Sequence, residues 1–175
     1  MRWRARGFSL LELTLVVIVV VLLIRFAIDR LLPLRIEAER VAVAQVVGGL
    51  RSALGLEAAR RVVSGGVQAL AALDGGNPML LLQQVPQGYV GEAERVDPAA
   101  LPPGAWAFER ASGILIYRVR FAEHFRGGGP GPPHIRFRVR LVYEDVDGDG
   151  RFAAGEDLPQ GLDLVALEPY TWLKD

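Results

Sequence analysis

Residues 145–156 read Asp-Val-Asp-Gly-Asp-Gly-Arg-Phe-Ala-Ala-Gly-Glu. Carboxylates stand at alternate positions, Asp145, Asp147 and Asp149, with Gly150 next and Glu156 at the end. Hard oxygen ligands spaced in this way wrap one cation: Gly150 permits the sharp turn, the Arg151 carbonyl supplies a ligand, and Glu156 closes the shell with both oxygens. Every defined position of the calcium-loop pattern is met. Ala153 has no ligand side chain, so water takes that place. Residues 144–157 hold six carboxylates against one arginine, a charge poorly compensated without a cation. A strand pattern precedes the loop, and Pro159 with Gly161 follows it, so no helices flank it. The expectation is an isolated Ca2+ loop between two strands. The competing reading is a solvated acidic turn.

A further carboxylate, Glu12, stands at the start of an apolar run that continues from Leu13 to Ile24 with only Thr14 interrupting it. A charge inside an apolar span costs about 3 kcal/mol on insertion scales, so Glu12 needs a reason. Ahead of it, a basic leader (residues 1–7) carries Arg2, Arg4 and Arg6 and ends at Gly7, with Phe8 next. A secretory signal would carry a small-x-small site after the apolar run, and Ile24-Arg25-Phe26-Ala27 offers none. A plain anchor would need neither Glu12 nor the Gly7-Phe8 junction. The stretch resembles the processing signal of type IV pilins and pseudopilins: a basic leader ending in Gly, then an aromatic, then a Glu at the fifth position after the cut. Gly7, Phe8 and Glu12 match that pattern without departure. The resemblance is close over about the first 30 residues and only architectural beyond them. It implies cleavage between Gly7 and Phe8 by a prepilin peptidase, methylation of Phe8, and a role for Glu12 in assembly, commonly through a neighbouring subunit's amine. The implied partners are that peptidase, other pilin or pseudopilin subunits and an inner-membrane assembly machinery.

Arg118, Arg120, Arg136, Arg138 and Arg140 fall on alternate positions of two strand patterns. On neighbouring strands they would form one basic face. Such a face suits nucleic acid or an acidic partner, or it is a solvent face paired with local acids that deters edge association. The second reading is preferred, and nucleic acid stays the alternative. His124 and His134 flank a glycine-rich segment with no third metal ligand in pattern, and both are expected at the surface. There is no Ser-His-Asp constellation, no phosphate-cradling glycine loop before a helix and no cysteine, so no enzyme is expected. Trp106, Tyr170 and Trp172 read as sheet packing.

These residues must be positioned by few elements, since 175 residues leave room for an anchor helix and one modest domain. Basic and acidic residues balance at 20 each; loss of the leader arginines leaves 17 against 20, a net of −3. That balance gives no global case for nucleic acid. Many pilins close the C-terminal region with a disulfide, which a chain without cysteine cannot do, so another clamp is required. Residues 8–63 read as one long helix, apolar all round at first and amphipathic later. Ile36, Val43, Val47, Leu50 and Leu54 share one face, with Arg35, Glu39, Gln45 and Arg51 largely away from it. Pro33 should kink the helix, Gly48, Gly49 and Gly55 should weaken it, and Gly65-Gly66 should end it. Residues 67–73 read as a short helical return, 74–78 as a turn, 79–85 as ambiguous and 87–104 as loop. Residues 105–121 read as a hairpin turning at Ala111-Ser112-Gly113, residues 127–133 as a connecting loop, 135–143 as a strand, and 162–167 as the last strand, stopped by Pro169.

The fold expected is α+β: a long N-terminal helix, transmembrane in its first half, packed on a C-terminal antiparallel sheet of about four strands. The expected organisation is a leader (1–7), a membrane or filament-core helix half (8–34) and a periplasmic or extracellular domain (35–175). The N-terminus should be cytoplasmic, because the leader is basic. The expected function is a structural subunit of a type IV pilus or secretion pseudopilus with a calcium-stabilised C-terminal region. The alternatives are a minor pilin that grips DNA or a surface, and a membrane-anchored calcium domain that does not assemble.

Overall fold

The long helix begins where its first donor finds a cap. Ser9 Oγ accepts from the Glu12 backbone N–H at 3.2 Å, and the Ser9 carbonyl accepts from Leu13 N–H at 3.0 Å. Helix α1 then runs Leu10–Gly65. The structure is a computed structural model that describes residues 9–173; Gly7 and Phe8 lie outside the described residues, as do the side chains of residues 29–33, where the bend at Pro33 was expected. The helix assignment is unbroken through Pro33, Gly48, Gly49 and Gly55. It ends where expected: Gly66 takes φ 74°, a left-handed conformation that costs glycine little.

The residues up to Ala38 form one unit and those from Glu39 onward another. In the first unit, Leu10–Ile28 is exposed on all sides, with a mean hydropathy of 2.7 over 19 residues. It is long and apolar enough to cross a membrane. The stretch Leu34–Gly65, with mean hydropathy 1.2, passes the same test of length and composition. Its stripe of Val43, Val47, Leu50 and Leu54 is nevertheless buried in a protein core, so this half packs rather than spans.

The second unit is that packed half of α1 with two sheets. The strands are β1 (Tyr89–Ala93), β2 (Trp106–Glu109), β3 (Ile114–Arg118), β4 (Phe125–Gly127), β5 (His134–Glu144), β6 (Leu158–Ala166) and β7 (Tyr170–Trp172). The main sheet has five strands in the order β1-β2-β3-β5-β6, and β4 pairs with β7. Most neighbours are antiparallel, but β1 runs parallel to β2, so the sheet is mixed rather than purely antiparallel. β1 lies in the segment read as loop. It is short, its register shifts between Tyr89 and Glu92, and Gly91 interrupts it at φ 109°, so it carries no alternation to read. β7 follows Pro169, the residue expected to stop the last strand, and β6 starts at Leu158 rather than at 162.

Alternation along the central strands builds the core. Leu115 and Tyr117 of β3, Val119 just beyond it, and Ile135, Phe137 and Val139 of β5 meet Val43, Val47, Leu50 and Leu54 of α1. Leu50 and Leu164 are wholly buried, each worth about 1.5–3 kcal/mol. Trp106 lies against Tyr117 and Phe137, with ring centroids 4.6 and 5.9 Å away, and Phe125 packs edge-on to Trp172 at 5.2 Å. The aromatic residues therefore serve as sheet packing. The 3-10 turn Val67–Leu73 returns the chain toward β5 and β6.

Candidate metal centre

The acidic loop joins β5 to β6, the two strands with the longest shared register in the sheet. Asp145 stands one residue past the end of β5. Its Oδ1 accepts from Gly148 N–H and its Oδ2 from Gly150 N–H, both at 2.8 Å. Asp147 Oδ1 accepts from Asp149 N–H (3.1 Å) and Asp149 Oδ1 from Arg151 N–H (2.7 Å). The Gly150 amide, the first of these donors in effect, holds the Asp145 carboxyl below the usual Asp range. Gly148 and Gly150 sit at φ 78° and 75°, which lets successive amides turn inward. One carboxylate oxygen from each of Asp145, Asp147 and Asp149 lies within 4.8 Å of the others. That is the spacing of oxygens sharing one hard cation at roughly 2.3–2.6 Å. The three expected aspartates are thus brought together, and the donor set fits Ca2+ without being specific to it. Glu156 is exposed and does not join this group.

The carboxylate that closes the loop here is its neighbour. Asp157, only 1 % exposed, accepts from Val146 N–H at 3.0 Å and from Ala153 N–H at 2.8 Å. Its carbonyl accepts from Gln68 Nε2 at 3.0 Å, which ties the loop to the turn after α1. The pattern had assigned Asp157 no role because it lies one residue beyond the motif. The four carboxylates also push the Tyr143 phenol up, after burial, the larger cause.

A second carboxylate network was missed, and one expectation is corrected by it. Glu39, expected away from the apolar face, is only 8 % exposed. It lies four residues before Val43 and therefore on the same helix face. Glu39 Oε1 accepts from Tyr117 Oη (2.7 Å) and Arg120 N–H (2.6 Å), and Oε2 accepts from Phe121 N–H (3.1 Å). Burial first, then the Glu39 carboxylate, pushes the Tyr117 phenol far up, so it remains a donor.

Four of the five arginines share the sheet face away from the core: register sets Arg118 opposite His134 and Ile116 opposite Arg136, and cross-strand partners point the same way as Arg138 and Arg140 along β5. They do not all stand free on it. Arg136 forks onto Glu168, and Arg138 lies 3.7 Å from Asp74. Arg118 Nε and Nη1 are buried without a hydrogen-bond partner. His134 is 2 % exposed, not a surface residue, because its strand position lies under the 127–133 loop. Its Nδ1–H donates to Pro132 O at 2.7 Å. Glu12 is exposed at the first turn of α1. Its spacing from Ser9 is that of a capping box, a local signal that the reading of Glu12 had passed over.

Comparison with known proteins found no match: no family model, no characterised protein and no solved structure.

Proposed function

We propose that this chain is a subunit of a type IV pilus or secretion pseudopilus, processed at Gly7-Phe8 and stabilised outside the membrane by Ca2+. The observation that carries the reading is the N-terminal sequence, Gly7 and Phe8 ahead of a fully exposed apolar helix stretch of 19 residues with Glu12 in its first turn. A lone helix of that kind suits lipid, or a filament core in which identical helices cover one another. The amphipathic continuation of α1, seated on a sheet, gives the membrane segment a folded head to carry. The leader arginines orient the chain with this head outside the cytoplasm. In the head, Asp145, Asp147 and Asp149 would hold the cation, with the Arg151 carbonyl and Glu156 completing its shell. Such a cation would fix the β5–β6 connection in a chain that has no disulfide. The pairing of Arg136 and Arg138 with Glu168 and Asp74 favours the structural subunit over the DNA-gripping variant.

Intact mass of membrane-extracted protein tests processing: loss of residues 1–7 with a methyl group on Phe8 is expected, and retention of the leader beside an active peptidase overturns the reading. Glu12 admits a sharper test. Its place in a capping box would be satisfied by Gln, whereas an amine in a neighbouring subunit needs the charge. Filament recovery should therefore fall in Glu12→Gln as far as in Glu12→Ala. Rescue by Gln would reduce Glu12 to a helix-starting residue.

A further inference from the structure

β5 runs on past the end of β3, so residues 138–143 have no strand of the sheet on that side. The turn after Val67–Leu73 fills part of this edge. Gly75 N–H donates to Val139 O at 3.0 Å, and Leu141 N–H donates to Asp74 Oδ1 at 2.8 Å. Beside the edge opens a cleft of about 630 Å³, lined by Asp74, Arg138, Arg140, Tyr143, Arg151 and Phe152 among others. Arg138 is committed to Asp74. Arg140 and Arg151 are exposed and have no ion pair or side-chain hydrogen bond among the described residues, although residues 144–157 hold six carboxylates. Tyr143 and Phe152, both half-buried, meet edge to face with centroids 5.4 Å apart. Two unpaired guanidinium groups, an apolar wall and a carboxylate therefore line one concave space, of a size that suits a small ligand.

We propose that this cleft binds an acidic sugar. Arg140 and Arg151 would take its carboxylate, since a planar fork matches that group. The aliphatic face of the ring would lie against Tyr143 and Phe152, and Asp74 would accept from a hydroxyl with the lone pairs that Leu141 leaves free. Other anions fit less well. An extended acidic peptide needs a strand edge to join, and Gly75 and Asp74 already occupy Val139 O and Leu141 N. A polyanion would bring charge against Asp145, Asp147 and Asp149 next to Gly150, which lines the cleft. A small inorganic anion would use the arginines and leave the aromatic wall uncovered. The cleft lies wholly within the second unit, so the inference stands or falls apart from the filament reading.

The test is calorimetric titration of the full-length chain in a sugar-free zwitterionic detergent, with chelator present so that no metal contributes. The probes are glucuronate, glucose and inorganic sulfate. Glucuronate should bind, with glucose weaker by about tenfold or more, the worth of a charge-assisted hydrogen bond. Arg140→Ala and Phe152→Ala should each weaken glucuronate by a similar factor, and Arg140→Lys should restore only part of the loss. Should Phe152→Ala fail to fold, Phe152→Leu keeps the apolar volume without the ring and is read in the same way. Sulfate binding as tightly as glucuronate, no heat with glucuronate, or unchanged affinity in Arg140→Ala would each overturn the assignment.

Discussion

Glu39 and the aspartates of the 145–157 loop are both held by backbone amides, but in opposite ways. Glu39 is buried, and its donors Tyr117, Arg120 and Phe121 lie 78 to 82 residues away. Asp145, Asp147 and Asp149 are exposed, and their donors lie two to five residues away. A carboxylate satisfied at long range locks two elements together and leaves its lone pairs spent. Carboxylates satisfied by their own loop keep one side open, where a cation can be held. The first arrangement stabilises a fold, and the second leaves carboxylate oxygens within 4.8 Å of one another at the surface.

Removing Glu39 tests the first half of this contrast and should give the largest effect. Glu39→Ala strands a buried phenol and two backbone donors, at about 3 kcal/mol. In a chain of this size that is a fall in melting temperature of roughly 10 °C. Tyr117→Phe removes one donor and leaves Glu39 its two amides, so it should cost about 1 kcal/mol. Denaturant unfolding of the detergent-solubilised chain measures both. An unchanged midpoint in Glu39→Ala would mean that the network is not worth its burial.

Asp157 and Glu156 separate the two roles within a single loop. Asp157→Ala orphans Val146 N–H and Ala153 N–H. It should cost about 2 kcal/mol, alike in calcium and in chelator. Glu156→Ala should be silent in chelator and should lose the calcium-dependent rise, worth about 1.4 kcal/mol at a tenfold excess over the dissociation constant. Magnesium should give little rise, because it holds its waters and demands a tighter octahedron. If Asp157→Ala instead abolished the calcium response and Glu156→Ala left it intact, the ligand assignment of Glu156 would be wrong and the closing carboxylate would be Asp157.

The same contrast explains what the sequence made legible. The acidic loop is a local pattern with every partner within a few residues, so its aspartates were readable as a group and came together. The α1 stripe and the β5 alternation are likewise periodic, and Val43, Val47, Leu50, Leu54, Ile135, Phe137 and Val139 all entered the core. Glu39 was misread because a carboxylate on an apolar face looks like an error until a tyrosine 78 residues away donates to it. β1 was missed because parallel pairing with β2 is decided across the intervening 94–105 segment and not within five residues. β4 and β7 have three residues each, too short for any period to show. Asp157 lay one position outside a motif whose boundary was drawn by metal chemistry rather than by backbone donors.

Glu109 stands between the two cases and should give the smallest effect. It ends β2, and its Oε2 accepts from Ser112 Oγ in the turn that follows. Its Oε1 accepts from Val96 N–H at 2.9 Å, 13 residues away. The Ser112 hydroxyl, then the Val96 amide, hold the Glu109 carboxyl below its usual value of 4.5. A carboxyl depressed in the folded state stabilises that state fully above its unfolded value, and the contribution fades as pH falls through the lower, folded one. The wild type should therefore lose stability from about pH 4.5 downward at this site, while Glu109→Gln, which cannot titrate, should not. The gap between the two melting temperatures should be widest at neutral pH and narrow steadily in acid. Solvent reaches this carboxylate more easily than it reaches Glu39, so the gap should stay well below that of Glu39→Ala. A gap that holds constant down to pH 3 would show that Glu109 acts by shape alone, and would move it from the site-like to the fold-like side of the comparison.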